Sequence, residues 1–111
     1  MDIILIRHGQ TEDNVDRIFS TKDTRLTDKG KEQIRKTKTF VDTLAYDKVY
    51  VSPLYRAIQT MEILGLDGEV EERIKEVDFG LFEGNTYEEI KDKFPKEAKI
   101  WDEDYINYVT P

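Results

Sequence analysis

The stretch Asp2-Ile3-Ile4-Leu5-Ile6-Arg7-His8-Gly9 decides how the rest of the chain is read. Four consecutive apolar residues, mostly β-branched, end in a polar Arg-His-Gly turn. A short run that is apolar at both odd and even positions predicts a strand over residues 2–6 buried on both faces, as in a parallel sheet. Moving outward, Thr27 is a fitting N-cap for a helix through about residue 44. Ile34, Val41 and Leu44, with Phe40 and the Thr37 methyl, mark its apolar side. A second strand is expected at Lys48-Val49-Tyr50-Val51. Ser52-Pro53 suits an N-cap followed by proline at the first helical position, and Leu54, Ala57, Ile58, Met61 and Leu64 then recur at helical spacing until Gly65.

The resulting β-α-β-α alternation predicts an α/β fold, an open sheet with flanking helices. Such sheets bind ligands at the C-terminal ends of their strands. Arg7-His8-Gly9 and Ser52-Pro53-Leu54-Tyr55-Arg56 both fall there. Beyond Gly68 a charged segment runs through Glu76, followed by an irregular loop over residues 79–84 with two glycines. Thr86 and Glu89 form a capping-box pattern, predicting a short helix to Phe94 that Pro95 ends. A further helix is expected in the tail that carries Trp101, Tyr105, Ile106 and Tyr108. Two convincing strands are few for a sheet that averages about five to six, so the chain is expected to be part of a domain.

The 111 residues leave room for one compact domain and not two. Hydrophobic residues make up 38% and charged residues 37%, a globular balance, and no run is long enough to span a membrane. The N-terminus lacks the pattern of a signal peptide, which makes a cytoplasmic location the expectation. There is no cysteine and one histidine, so disulfides, thiolate sites and a zinc site are not expected. A net charge of −7 argues against binding to nucleic acid or anionic membrane. That charge is uneven: residues 1–60 hold 11 basic and 9 acidic side chains, residues 61–111 hold 6 and 15. An anionic substrate would therefore be met by the first half.

In Arg7-His8-Gly9 an imidazole sits between a guanidinium and a flexible glycine. Arginine can grip a phosphoryl group bidentately, and a neutral imidazole nitrogen can attack phosphorus. Arg56 lies in the first turn of a helix, where free N–H groups and the helix dipole already favour an anion. Each segment alone reads more readily as an ordinary one, an incidental surface histidine or a capped helix with an exposed arginine.

Taken together, Arg7-His8-Gly9-Gln10-Thr11 with Asn14, Leu26-Thr27-Asp28-Lys29-Gly30 with Gln33, residues 52–60, and Glu76-Val77-Asp78-Phe79-Gly80 with Glu83-Gly84 resemble the histidine phosphatase and phosphoglycerate mutase superfamily. The resemblance implies a phosphoglycerate-mutase-like sheet, of which residues 1–111 would be the N-terminal part of a single domain, the C-terminal part being absent. It implies a phosphomonoester hydrolase working through a phosphohistidine. His8 would be the nucleophile and Glu76 the general acid. Arg7 and Arg56 would bind phosphate, with a hydrogen bond from Asn14. Ser20 and Thr21 would contact substrate, although Thr21 stands where the family commonly has glycine. Glu83 is a second candidate for the acid, and Tyr55 and Phe82 are candidates for lining the pocket. No cofactor or metal is implied, and the partner is a small phosphorylated metabolite.

The family's pocket also uses a second histidine from a later strand, and this chain has one histidine in all. An unfinished sheet edge would favour a homodimer or a swapped assembly. Two other functions stay open: a phosphoglycerate mutase, for which the spacing after the acidic segment shows no inserted loop, and a non-catalytic, self-associating module.

Overall fold

The computed structural model describes residues 1–111. Two compact units make up the chain, Met1–Glu12 with Lys22–Glu76, and Asp13–Thr21 with Val77–Pro111.

In the first unit, α2 spans Asp28–Val41. Thr27 caps it, its hydroxyl accepting from the Gly30 N–H at 3.0 Å. Ile34 and Val41 turn inward and join Leu26 and Leu64 in one apolar cluster, with Ile63 and Leu66 against it. Burying side chains of this size stabilises the unit by roughly 1.5–3 kcal/mol each. Phe40, expected on the same face, is 64% exposed. It is one residue, and so about 100° of helical turn, away from Val41.

β1 is Tyr50–Val51, shorter than expected. It leads through Ser52-Pro53-Leu54 into α3, Tyr55–Ile63, and β2, Glu69–Val70, returns parallel to it in the register Tyr50↔Glu69 and Val51↔Val70. The expected Ser52 cap is not made. α3 starts three residues later, with Leu54 at the N-cap and no side-chain cap bond, and the Ser52 hydroxyl accepts from the Leu54 N–H at 3.4 Å within the turn. Gly65 ends the helix at a φ of 70°, a conformation in which glycine carries no Cβ penalty.

Residues 2–6 are not a strand. The sheet has two strands, β1 and β2, and the apolar run is outside it, with Ile3 at 73% and Leu5 at 90% exposure. Strand geometry depends on a ladder to satisfy its N–H and C=O groups. With no neighbouring strand the sequence preference has nothing to pair with.

α1 starts at Glu12, the last residue of the first unit's opening segment, and runs to Asp16 in the second. The second unit also holds α4, Tyr87–Lys93, and α5, Pro95–Glu103. Thr86 and Glu89 form the full capping box at the start of α4. Pro95 stands in the first turn of α5, where its missing N–H costs nothing. Phe82, Ile90 and Ala98 are the buried centre, surrounded by Phe19, Phe79, Trp101 and Tyr108. Phe19 meets Phe79 edge-on at 5.1 Å and Trp101 at 5.9 Å. Burial and the bond that the Tyr108 hydroxyl donates to Glu97 push its phenol up to about 12. Thr86→Ala removes the side-chain acceptor for the Glu89 N–H. It should lower stability by about 1 kcal/mol in a denaturant titration, and an unchanged midpoint would show that the cap contributes nothing.

Candidate active site

The nucleophile loop is held by its own backbone. Gly9 and Gly30 are both buried, and each stands against the other segment with no room for a side chain. A Cβ on Gly9 would lie 2.4 Å from the Gly30 carbonyl oxygen, and one on Gly30 would lie 2.1 Å from the Gln10 carbonyl oxygen. The Gln10 N–H donates to Gln33 Oε1 at 3.0 Å, and the Gln10 carbonyl accepts from the Thr27 N–H at 3.0 Å. The first turns of α2 thus clamp the loop one residue after Gly9. Thr11, fully buried, then pairs with Leu26 in an antiparallel bridge.

His8, half-buried, ends up with one ring nitrogen committed. Its Nδ1 lies 2.7 Å from the Gly9 carbonyl oxygen, which can only accept, so Nδ1 carries the proton. That tautomer leaves a lone pair on Nε2. Burial lowers the pKa of the ring, while the bond to Gly9 raises it. The charges of Arg56 and Arg7 press it down, and Glu76 pulls it up, for a net value below the ordinary 6.5. The neutral, nucleophilic form therefore dominates at neutral pH. Any reaction needing it should lose rate as pH falls through a midpoint below 6.5, measured as the acid limb of the rate profile. A limb above 6.5 would contradict this. The same shift works on stability: between 6.5 and the lower folded value the unfolded chain binds more protons, so His8's contribution is present above 6.5 and is lost as pH falls through that window.

Arg56 is in the first turn of α3 and only 5% exposed, with its carbonyl accepting from the Thr60 hydroxyl at 2.9 Å. Tyr55 before it is exposed, under the Arg25 guanidinium at 5.7 Å. Arg7 is exposed at the end of the apolar run, and Glu76 is exposed after a 3₁₀ turn at Glu72–Ile74. Arg7, His8, Arg56 and Glu76 all belong to the first unit, and the three charged groups bear on the imidazole.

Asn14, Ser20, Thr21 and Glu83 belong to the second unit. Asn14 is on α1. Phe19, just before Ser20, pairs with Glu83 in a parallel bridge. Phe82, a pocket-lining candidate from its sequence, is instead the buried centre of that unit. No group of three or more His, Cys, Asp or Glu side chains is arranged to hold a metal ion, and no helix is long and apolar enough to cross a membrane. The structure gives a part in holding the loop beside His8 to two residues whose motif implied none, Gly30 and Gln33. Their signal in sequence was faint, a glycine inside a helix start and a glutamine on a charged helix.

The model of the histidine phosphatase superfamily (branch 1) matches residues 3–111. Human 6-phosphofructo-2-kinase/fructose-2,6-bisphosphatase 1 is 36% identical over 111 residues, covering 98% of this chain and 23% of its own length. Phosphoserine phosphatase 1 of Hydrogenobacter thermophilus is 33% identical over 107 residues, covering 92% of this chain and 51% of its own length. Among solved structures, the alpha-ribazole phosphatase of Shigella flexneri superposes with a TM-score of 0.88 at 28% identity, covering 95% of this chain and 55% of that one. The Entamoeba histolytica phosphoserine phosphatase, in complex with 3-phosphoglyceric acid, gives 0.70 at 31%, covering 92% and 53%. The chain thus spans about half the length of the shorter relatives and about a quarter of the two-function one.

Proposed function

The chain belongs to the histidine phosphatase superfamily, and we propose that it carries the nucleophile portion of a phosphomonoester hydrolase acting on a small phosphorylated metabolite. The observation that carries this reading is His8 itself, whose Nδ1–H is donated to Gly9, leaving the Nε2 lone pair free on a ring that feels the charges of Arg56, Arg7 and Glu76.

In the first step Nε2 attacks phosphorus and the P–O ester bond breaks. The leaving oxygen takes its proton from Glu76. In the second step water attacks the phosphohistidine while Glu76 accepts its proton. The P–N bond breaks, its electron pair returns to Nε2, and inorganic phosphate leaves. Arg7 and Arg56 balance the phosphoryl charge throughout, which is the main catalytic demand in phosphoryl transfer. Glu76 is exposed, so excluding water from it falls to the substrate or to further polypeptide. For Asn14, Ser20, Thr21 and Glu83 the support is the motif and not geometry. The phosphatase names of the relatives favour hydrolysis over mutase chemistry.

In this reading residues 1–111 are the N-terminal part of one histidine-phosphatase domain, completed by polypeptide equivalent to the length of the relatives that this chain does not cover. That polypeptide would supply the second pocket histidine and a strand for residues 2–6. The exposed Ile3, Ile4, Leu5 and Ile6 also favour a second reading, a non-catalytic module that self-associates. Size-exclusion chromatography with light scattering separates the two, because a well-folded monomer removes the second.

The test of the first is to incubate the protein with a radiolabelled phosphomonoester and recover an acid-labile, base-stable phosphoryl group. Activity should survive a chelator. Turnover with no phosphoryl-protein under rapid quench, or activity abolished by chelator, would overturn it.

A further inference from the structure

We propose that Gln59 is a positioning residue, which holds Arg56 in register with His8 by tying α3 to the segment that braces the nucleophile loop. The proposal rests on the roles assigned above to His8 and Arg56, and every residue in it belongs to the first unit.

Gln59 is three residues after Arg56, one turn along α3, so the two side chains leave neighbouring positions on the helix. Its Oε1 accepts from the Leu26 N–H at 2.8 Å. Leu26 is buried and is the residue that bridges to Thr11, three residues after His8. Next to it, the Arg25 carbonyl accepts from the Glu12 N–H at 3.1 Å. At the other end of the segment, the Lys22 carbonyl accepts from the N–H of Tyr55, the residue before Arg56, at 3.0 Å. Residues 22–26 therefore have one side on the nucleophile loop and the other on α3. Gln59 joins the brace to the helix by a side chain, and Tyr55 joins it by backbone.

The two groups that must meet at one phosphoryl centre are 48 positions apart in sequence, on separate elements. A misplacement of about 1 Å between such groups can cost about 10²-fold in rate, so a rigid link between their elements has a direct catalytic use. A role confined to stability predicts something different. Removing the Gln59 acceptor would then loosen the whole unit without acting selectively through Arg56.

Residues 1–111 hold one histidine, so in this chain a single imidazole signal in a proton NMR titration reports His8. The variants are Gln59→Met, which keeps volume and deletes the acceptor, Arg56→Met, and the double variant. Because the Arg56 charge holds the His8 pKa down, Arg56→Met should raise it. Gln59→Met should raise it part of the way, and should add nothing in the Arg56→Met background. Gln59→Met should also slow phosphohistidine formation about 10-fold, and Gln59→Glu, which keeps an acceptor oxygen, should restore most of that rate.

Equal effects of Gln59→Met with and without Arg56, or no effect on the titration, overturn the proposal. If Gln59→Met does not fold by circular dichroism, Gln59→Asn, which withdraws the acceptor by one methylene, takes its place in the same cycle. A wild-type protein that never becomes phosphorylated overturns the hydrolase reading, while the titration still decides whether Gln59 positions Arg56.

Discussion

His8→Ala should abolish phosphoryl transfer, with turnover of a phosphomonoester falling by about 10⁴-fold or more and no labelled protein recovered. The expectation follows from the tautomer. A ring whose Nδ1–H donates to the Gly9 carbonyl offers Nε2 as its only lone pair, and residues 1–111 hold no other histidine to substitute. What survives in the variant is the electrostatic grip of Arg7 and Arg56 on the substrate, which by itself binds phosphate without providing a covalent path. His8→Asn should behave alike, since the amide can replace hydrogen bonds but not attack phosphorus. Acid-labile label persisting in either variant would sink the assignment of the nucleophile.

Gly30→Ala carries the other large effect, and here two physical terms compete. Alanine is the better helix former by about 1 kcal/mol, and Gly30 sits in the first turn of α2, so propensity alone predicts stabilisation. Against that, the new methyl would lie 2.1 Å from the Gln10 carbonyl oxygen and 2.9 Å from the Gln10 nitrogen. These are main-chain atoms that cannot rotate aside, so the loop or the helix must move. Overpacking of this kind costs about 1–3 kcal/mol and sometimes more. The clash should win by about 1 kcal/mol, lowering Tm by roughly 5 °C and loosening the Gln10–Gln33 and Thr27–Gln10 bonds that hold the loop beside His8. A rise in Tm would show that the backbone contact is soft and that propensity governs.

Local features of this fold were legible in sequence because their causes are local. The cap at Thr27, the left-handed glycine at Gly65 and the Thr86–Glu89 capping box each involve residues within a few positions of one another, and all are made. The run at residues 2–6 departs from its sequence preference for the opposite reason. Its apolar, β-branched content describes a strand, but a strand exists only through bonds to another segment, and here those bonds are not made. Phe40 illustrates a smaller version, where a broad apolar helix side leaves open which residue at its margin turns inward.

The chemistry of the candidate site was already present in its residue types. An imidazole flanked by arginine and glycine, with a second arginine at a helix start, states which atoms can attack and which can carry phosphoryl charge, because those properties belong to the side chains. How that site is held emerges only in the folded chain. The wedge of Gly9 against Gly30 and the link from Gln59 through Leu26 toward Thr11 join residues far apart in sequence, and the choice of Nδ1 as the protonated nitrogen depends on where one backbone carbonyl points. Distances of that kind follow from packing and backbone hydrogen bonding between elements, and no pattern of residue types along the chain encodes them one segment at a time.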